Sequence, residues 1–291
     1  MSGASSPSEA LSGIHRRIRF EAYRAIDATN FSSLKELARS PLHYRHRLDN
    51  PRTSLPMALG KAAHTAVLEP HRFAAEYALW DERTEGGRVR PRNGKDWEAF
   101  KAAHATQQII VADEMGAAMA MRDAARGSTC SMRYLRKGEA EVTMVWPDEE
   151  TGRRCKGRID WLTHVDGIDV LVGLKTSKDC RPIGFGNQAA RLGYHLQWAL
   201  YHDGYVALTS KPVRMVEIVI ESAAPHDVTV YIIPAEIIEQ GRDEYRKLLV
   251  TLDECEKTGV WPGTSDSEQI LSLPSWVYHA EDDISELGLE A

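Results

Sequence analysis

Between residues 141 and 176 apolar and polar positions alternate with a period of two. EVTMVW (141–146), RRCKGRIDWLTHV (153–165) and IDVLVGLKT (168–176) each follow it. That period sends successive side chains to opposite faces of a half-buried strand. PDEETG separates the first two runs and Asp166-Gly167 the last two; an Asp-Gly pair favours a two-residue hairpin. The stretch therefore predicts an antiparallel meander. Before it the pattern is helical. NFSSLKELARSP carries a capping box, Ser33 followed by Glu36, and stops at Pro41. Further helices are expected over Leu59 to Leu68, ending before Pro70, and over about Trp97 to Thr106. After the meander come a long helical stretch from about Asn187 to Ala207, strands near 214–221 and 227–233, and a helix opened by Pro234. The expected fold class is α/β: a central mixed sheet whose antiparallel meander carries the site, flanked by helices. Residues 30–280 should form a single domain. Residues 1–29 are expected to be disordered or weakly ordered, residues 281–291 to form an acidic tail, and the loop at about 80–96 to be the mobile element.

Composition narrows the function. Apolar residues at 43% and charged residues at 27% are ordinary for a globular chain. No run approaches the roughly 18 apolar residues of a membrane helix, and no signal peptide is evident, so a cytoplasmic location in a bacterial or phage-infected cell is expected and no membrane partner. Cys130, Cys155, Cys180 and Cys255 lie far apart, which reads as buried thiols and disfavours a cysteine-held cluster. A net charge of −6 excludes indiscriminate coating of nucleic acid, so any DNA contact must be local. Two basic clusters could provide it: Arg88, Arg90, Arg92 and Lys95 in the 80–96 loop, and Arg153, Arg154, Lys156 and Arg158.

Alternation also decides which side chains meet. In the third strand Asp169, Leu171, Gly173 and Lys175 share a face; in the second Asp160 shares one with Arg158 and Lys156, while Ile159 and Trp161 turn to the apolar side. The hairpin brings Asp160 near 173–175, and Glu141 joins the same edge if the three strands are adjacent. A carboxylate pair beside a lysine is the minimum apparatus for Mg²⁺-assisted phosphodiester hydrolysis. Spacing alone fits a surface ion pair as well.

Five motifs in order carry more. GKAAH (60–64), Glu141 within GEAEVTMVW, GRID (157–160), GLKT (173–176) and HLQWALY (195–201) resemble the PD-(D/E)xK nuclease fold of the exodeoxyribonuclease VIII (RecE) type. The resemblance extends to the WPDEETG turn and to LSLPSW (271–276), and covers about residues 30–278. It implies a metal-dependent exonuclease on linear double-stranded DNA ends, working 5′ to 3′ in recombination, with Mg²⁺ or Mn²⁺ as cofactor. It also implies a homo-oligomeric ring and a single-strand annealing partner. Carried over by position, it makes Lys175, Asp160, Glu141, His64, Gln197 and Tyr201 the catalytic set. Asp160, Glu141 and His64 are the expected metal ligands, and Arg158 a DNA contact with the four basic loop residues. Gln197 and Tyr201, four apart, share a helix face, as do Gly60 and His64.

One departure stands out. The family has an acidic residue two before the lysine, where this chain has Gly173. Glycine offers no side-chain oxygen, and Asp169 lies roughly 13 Å along the strand from the needed point. The expectation is an impaired or inactive site that Gly173→Asp would restore. Alternatives from other classes are a catalytically silent DNA-binding or assembly module of the same fold, and a RecB/Cas4-like single-strand nuclease, which shares the GxxxH and QxxxY motifs but not WPDEETG or LSLPSW. GFGNQA (184–189) matches a dinucleotide-binding pattern only weakly, because no hydrophobic strand leads straight into it.

Overall fold

A computed structural model describes residues 12–50 and 58–272. The acidic tail, residues 1–11 and the part of LSLPSW beyond Ser272 lie outside the described residues.

The predicted meander forms as β4 (Glu139–Pro147), β5 (Arg154–Val165) and β6 (Ile168–Ser177), preceded in the chain by β1 (Gly13–His15), β2 (Tyr77–Trp80) and β3 (Gln108–Val111). Asp166 and Gly167 both take positive φ, 54° and 79°, as the tight turn between β5 and β6 requires. With β7 (Val213–Glu221) and β8 (Val228–Ile232) the main sheet has six strands in the order β1-β4-β5-β6-β7-β8. Every pairing is antiparallel except β6 with β7. A parallel pair needs a long crossover. The expected single helix from 187 to 207 supplies it as two, α9 (Pro182–Leu192) and α10 (Tyr194–Thr209), broken at Gly193 with φ 69°.

The earlier helices, α1 (Phe20–Ala25), α2 (Phe31–Leu37), α3 (Pro41–Asp49), α4 (Ala58–Leu68), α5 (Pro70–Glu76), α6 (Gly94–Ala103), α7 (Ala112–Gly127) and α8 (Thr129–Leu135), include several the pattern did not announce. Prolines explain two of them. Pro41 and Pro70 do end the helices before them, but each sits in the first turn of a new one, where its missing N–H costs nothing. The cap of α2 is Asn30 rather than Ser33: its side chain accepts from Ser33 N at 2.9 Å while Ser33 Oγ accepts from Asn30 N at 3.2 Å. The last helix, α11 (Ala235–Thr258), follows Pro234 as expected.

Both sheet faces are covered. On one, residues of α2, α9, α10 and α11 pack with Val142, Met144, Ile159, Leu171 and Val219. On the other, α4, α7 and α8 pack with Val170, Val172, Leu174, Val216, Ile218 and Ile220. Three of the four cysteines are buried as expected, whereas Cys130 is exposed. Among the described residues no helix is long and apolar enough to cross a membrane.

Residues 13–29 differ from expectation. β1 pairs with β4, Thr29 N donates to Arg154 O at 2.9 Å, and Lys156 is buried with its Nζ donating to the carbonyls of Tyr23, Arg24 and Ile26. Lys156 therefore caps the C-terminal end of α1, where carbonyls lack partners, and is no DNA contact. Arg153 is likewise spent, on Asp253 and Glu256 of α11. These tertiary ties, absent from local composition, order the segment.

Candidate active site

Strand alternation fails at one row, and the site is built there. Ala140 and Trp161 pack toward α4, whereas Val142 and Ile159, two residues away on the same strands, pack toward α10. Ile159 and Trp161 thus face opposite sides, contrary to the simple period. Between them Glu141 drops out of the β4–β5 ladder with φ 56°, a left-handed conformation that is strained for glutamate. The β5–β6 ladder ends at Trp161–Val172, and beyond it the side chain of Asp160 takes over, accepting from Leu174 N at 2.8 Å. The sheet turns its faces over at these two carboxylates, leaving both side chains free of the ladder.

α4 then brings His64 in from one face. One donor atom each from His64, Glu141 and Asp160 lies within 4.8 Å of the others. Lys175 Nζ stands 3.8 Å from Asp160 Oδ2, and His64 Nδ1 4.0 Å from the same oxygen. From the other face α10 supplies Gln197 and Tyr201, whose side chains interact, with Tyr201 also bonded to the Arg158 backbone. The glycine of GRID makes this approach possible: a Cβ on Gly157 would lie 2.8 Å from the Tyr201 ring.

Burial and charge set the protonation states. Burial pushes Glu141 up to about 7, reinforced by the Asp160 charge and opposed by Arg158, which forms an ion pair with it. Burial alone would lower Lys175, but the carboxylates of Glu217 and Asp160 outweigh it and hold the ammonium well above the usual lysine range. Burial lowers His64, keeping the imidazole neutral and able to act as a ligand despite the nearby Asp160.

Glu217 was missed by the sequence reading. It lies on β7, paired in register with Gly173, and only 1% of its side chain is exposed. Trp198 Nε1 donates to its Oε2 at 2.6 Å; Oε1 is buried with no hydrogen-bond partner, 3.7 Å from Lys175 Nζ. A Cβ on Gly173 would fall within 3.0 Å of Oε1, Oε2 and Cδ of this carboxylate. Gly173 is thus a space rather than a plain gap, and an aspartate there would collide with Glu217. The glutamate in the middle of VRMVEIVIE was the available signal, since a central strand rarely buries a charge. The two carboxylates and imidazole of Glu141, Asp160 and His64 suit a hard divalent cation, with the imidazole favouring Mn²⁺ as well as Mg²⁺.

The basic residues divide. Arg88, Arg90 and Arg92 on the segment between β2 and α6, and Lys95 in the first turn of α6, are exposed and line none of the site cavity. Arg90 pairs with Asp96 and Arg92 with Glu114. Arg158 instead opens on a groove of about 1030 Å³ that reaches Glu141 and is lined by seven arginines and one histidine against three glutamates. Of these arginines, Arg17, Arg19 and Arg136 are exposed, with no side-chain partner among the described residues.

Residues 30–274 match a family model described as a PDDEXK-like domain of unknown function (DUF3799). The fold is also similar to a protein from Eubacterium rectale described as a "putative exonuclease", with TM-score 0.56 at 13% identity over 95% of this chain and all of that one. SSO0001 aligns with TM-score 0.28 at 16% identity over 65% of this chain and 85% of that one, too weakly to bear on the fold. No curated protein sequence matches.

Proposed function

The chain belongs to this PDDEXK-like family, and from that premise we propose that it is a metal-dependent exonuclease that digests linear double-stranded DNA from its ends. The observation that carries the proposal is the convergence of His64, Glu141 and Asp160 donor atoms within 4.8 Å of one another, beside the half-buried Lys175. A divalent cation bound by these residues would polarise a phosphate and lower the pKa of an attacking water. The protein's own groups do the rest. Lys175 remains an ammonium and offsets the charge that builds on the phosphate during attack. Asp160, fixed by Leu174 N, presents a preset oxygen, and Gln197 with Tyr201 closes the opposite wall of the cavity.

Substrate reaches the site along the arginine groove, where Arg17, Arg19 and Arg136 are free to replace the counterions of a phosphate backbone. The loop of Arg88, Arg90, Arg92 and Lys95 is a second, weaker contact, because two of its arginines are already paired. Likeness of the five motifs to exodeoxyribonuclease VIII supports the finer reading: 5′ to 3′ digestion, a homo-oligomeric ring enclosing DNA, and a partner that anneals the exposed strand. A single folded unit over residues 30–280, with residues 13–29 tied onto its sheet, belongs to the same reading.

The test is digestion of linear duplex, closed circular duplex and single strands with Mg²⁺, with Mn²⁺ and with EDTA, alongside light scattering for mass. Linear duplex should be consumed only with metal, circles spared, and the mass exceed a monomer. Preference for single strands would favour a RecB/Cas4-like enzyme. DNA binding without cleavage of linear duplex at any metal concentration would overturn the nuclease in favour of a silent DNA-binding module.

A further inference from the structure

We propose that Glu217 is a further carboxylate of the metal centre, added to those of Glu141 and Asp160 and reaching from β7 into the space that a side chain at position 173 of β6 would fill. The inference rests on the nuclease reading for its purpose, but its geometry stands apart from it. Position 173 is where the motif of the third strand calls for an acid, two before Lys175. The parallel β6–β7 register sets Glu217 directly beside Gly173. Side chains at paired positions of adjacent strands project to the same face, so a carboxylate on β7 can serve the same point as one on β6. The overlap supports this, since the Glu217 carboxylate lies where a Cβ on Gly173 would begin. Only glycine leaves that room.

The environment of Glu217 is that of a ligand. One ammonium, Lys175 Nζ, stands 3.7 Å from Glu217 Oε1 and 3.8 Å from Asp160 Oδ2, between the two acids. Trp198 Nε1 orients the carboxylate through Oε2 and leaves Oε1 unbonded. A cavity of about 20 Å³ is lined by Asp160, Lys175, Gln197, Tyr201 and Glu217 together with Trp198 and apolar side chains of β5, β6 and β7. That is room for one water or one small cation. The ion pair with Lys175 accounts for the charge of Glu217 but leaves Oε1 without a hydrogen bond. In a strand whose neighbours Val216, Ile218, Val219 and Ile220 are all buried, a purely structural position would be served better by an apolar residue than by a carboxylate with an unsatisfied oxygen.

The acid and the glycine are therefore a coupled pair, and exchange between them is the experiment. Four proteins are compared: wild type, Glu217→Gln, Gly173→Asp, and the double variant Gly173→Asp with Glu217→Ala. Mn²⁺ affinity is measured by calorimetry without DNA, and exonuclease activity separately, with circular dichroism reporting the fold. Glu217→Gln, which keeps shape and an acceptor for Trp198, should weaken Mn²⁺ binding at least tenfold. Gly173→Asp alone should not strengthen it, because the new side chain displaces Glu217. The double variant, which removes the collision and returns an acid to β6, should bind Mn²⁺ more tightly than Glu217→Gln. Unchanged Mn²⁺ affinity in Glu217→Gln overturns the proposal, as does a gain in Gly173→Asp alone. Should the single variants fail to fold, a folded double variant without Mn²⁺ affinity overturns it too. The two readings separate cleanly: Glu217-dependent Mn²⁺ binding in a wild type that leaves DNA intact supports this inference and refutes the nuclease. Metal-dependent DNA digestion that survives Glu217→Gln does the reverse.

Discussion

Asp203 on α10, half-buried, and Glu217 on β7, fully buried, are both carboxylates inside the fold, and they are treated in opposite ways. Asp203 accepts from Arg242 Nε and Nη2 at 2.6 Å each and from Tyr245 Oη at 2.8 Å, with His202 Nδ1 at 2.9 Å. Burial alone would raise its pKa, but these donors outweigh burial and hold it far below the usual carboxylate range. Glu217 has one short bond from Trp198 and a buried oxygen with no hydrogen bond, and burial raises it against the pull of Lys175. Saturated oxygens make Asp203 a rivet between α10 and α11. An unsaturated oxygen facing a cavity makes Glu217 a group kept for something the fold itself does not supply. Satisfaction, and not burial alone, separates structure from chemistry here.

Substitution at the pivot of the unsatisfied cluster should produce the largest effect. Asp160→Asn keeps an acceptor for Leu174 N but removes a ligand charge, so cleavage of linear duplex should fall at least about a hundredfold, beyond what orienting groups around a metal contribute. Thermal stability should barely move. A loss of stability comparable to the loss of activity would erase the distinction between the two regions.

Asp203→Asn should do the reverse. Weakening several bonds to a charged acceptor costs about 2 kcal/mol, which for a chain of this size lowers Tm by roughly 4–8 °C. Activity below the new melting point should stay near wild type, as kinetics at 25 °C would show.

The same division applies to arginines. Arg153 and Arg242 are saturated by acids, whereas Arg17, Arg19 and Arg136 are not. Replacing those three by Ala should weaken duplex binding and reduce the salt slope by about 0.9 per lost phosphate contact. Equal loss from replacing Arg88, Arg90, Arg92 and Lys95 would move the DNA track to the other loop.

The smallest effect is in acid. Because the folded-state pKa of Asp203 is depressed, its contribution is present above the unfolded value of about 3.9 and is lost as pH falls below it. Chemical denaturation of wild type and Asp203→Asn should therefore show a constant stability gap near neutrality that closes below about pH 4. A gap unchanged at pH 2.5 would mean that Asp203 is not held by its charge.

Much of this was legible in the sequence, for identifiable reasons. Period-two alternation and the Asp-Gly turn locate β4, β5 and β6, and motif order brings Glu141, Asp160 and Lys175 to one edge. What failed was the assumption that alternation persists through Glu141 and Asp160, where both side chains leave the ladder. The order of residues 13–29 depends on the buried Lys156 and on pairing with β4, contacts between positions more than a hundred residues apart. Gly173 looked like a lesion because the parallel partner of β6 cannot be read from local pattern. Register places Glu217 beside it, and only packing shows the carboxylate in the space.

Diffraction from Mn²⁺-soaked crystals at the manganese absorption edge tests the central assignment most directly. The expected map has an anomalous peak in direct contact with Asp160 and with Glu217 Oε1, at about 2.0–2.3 Å. A peak held by His64, Glu141 and Asp160 with Glu217 Oε1 out of reach would contradict the assignment.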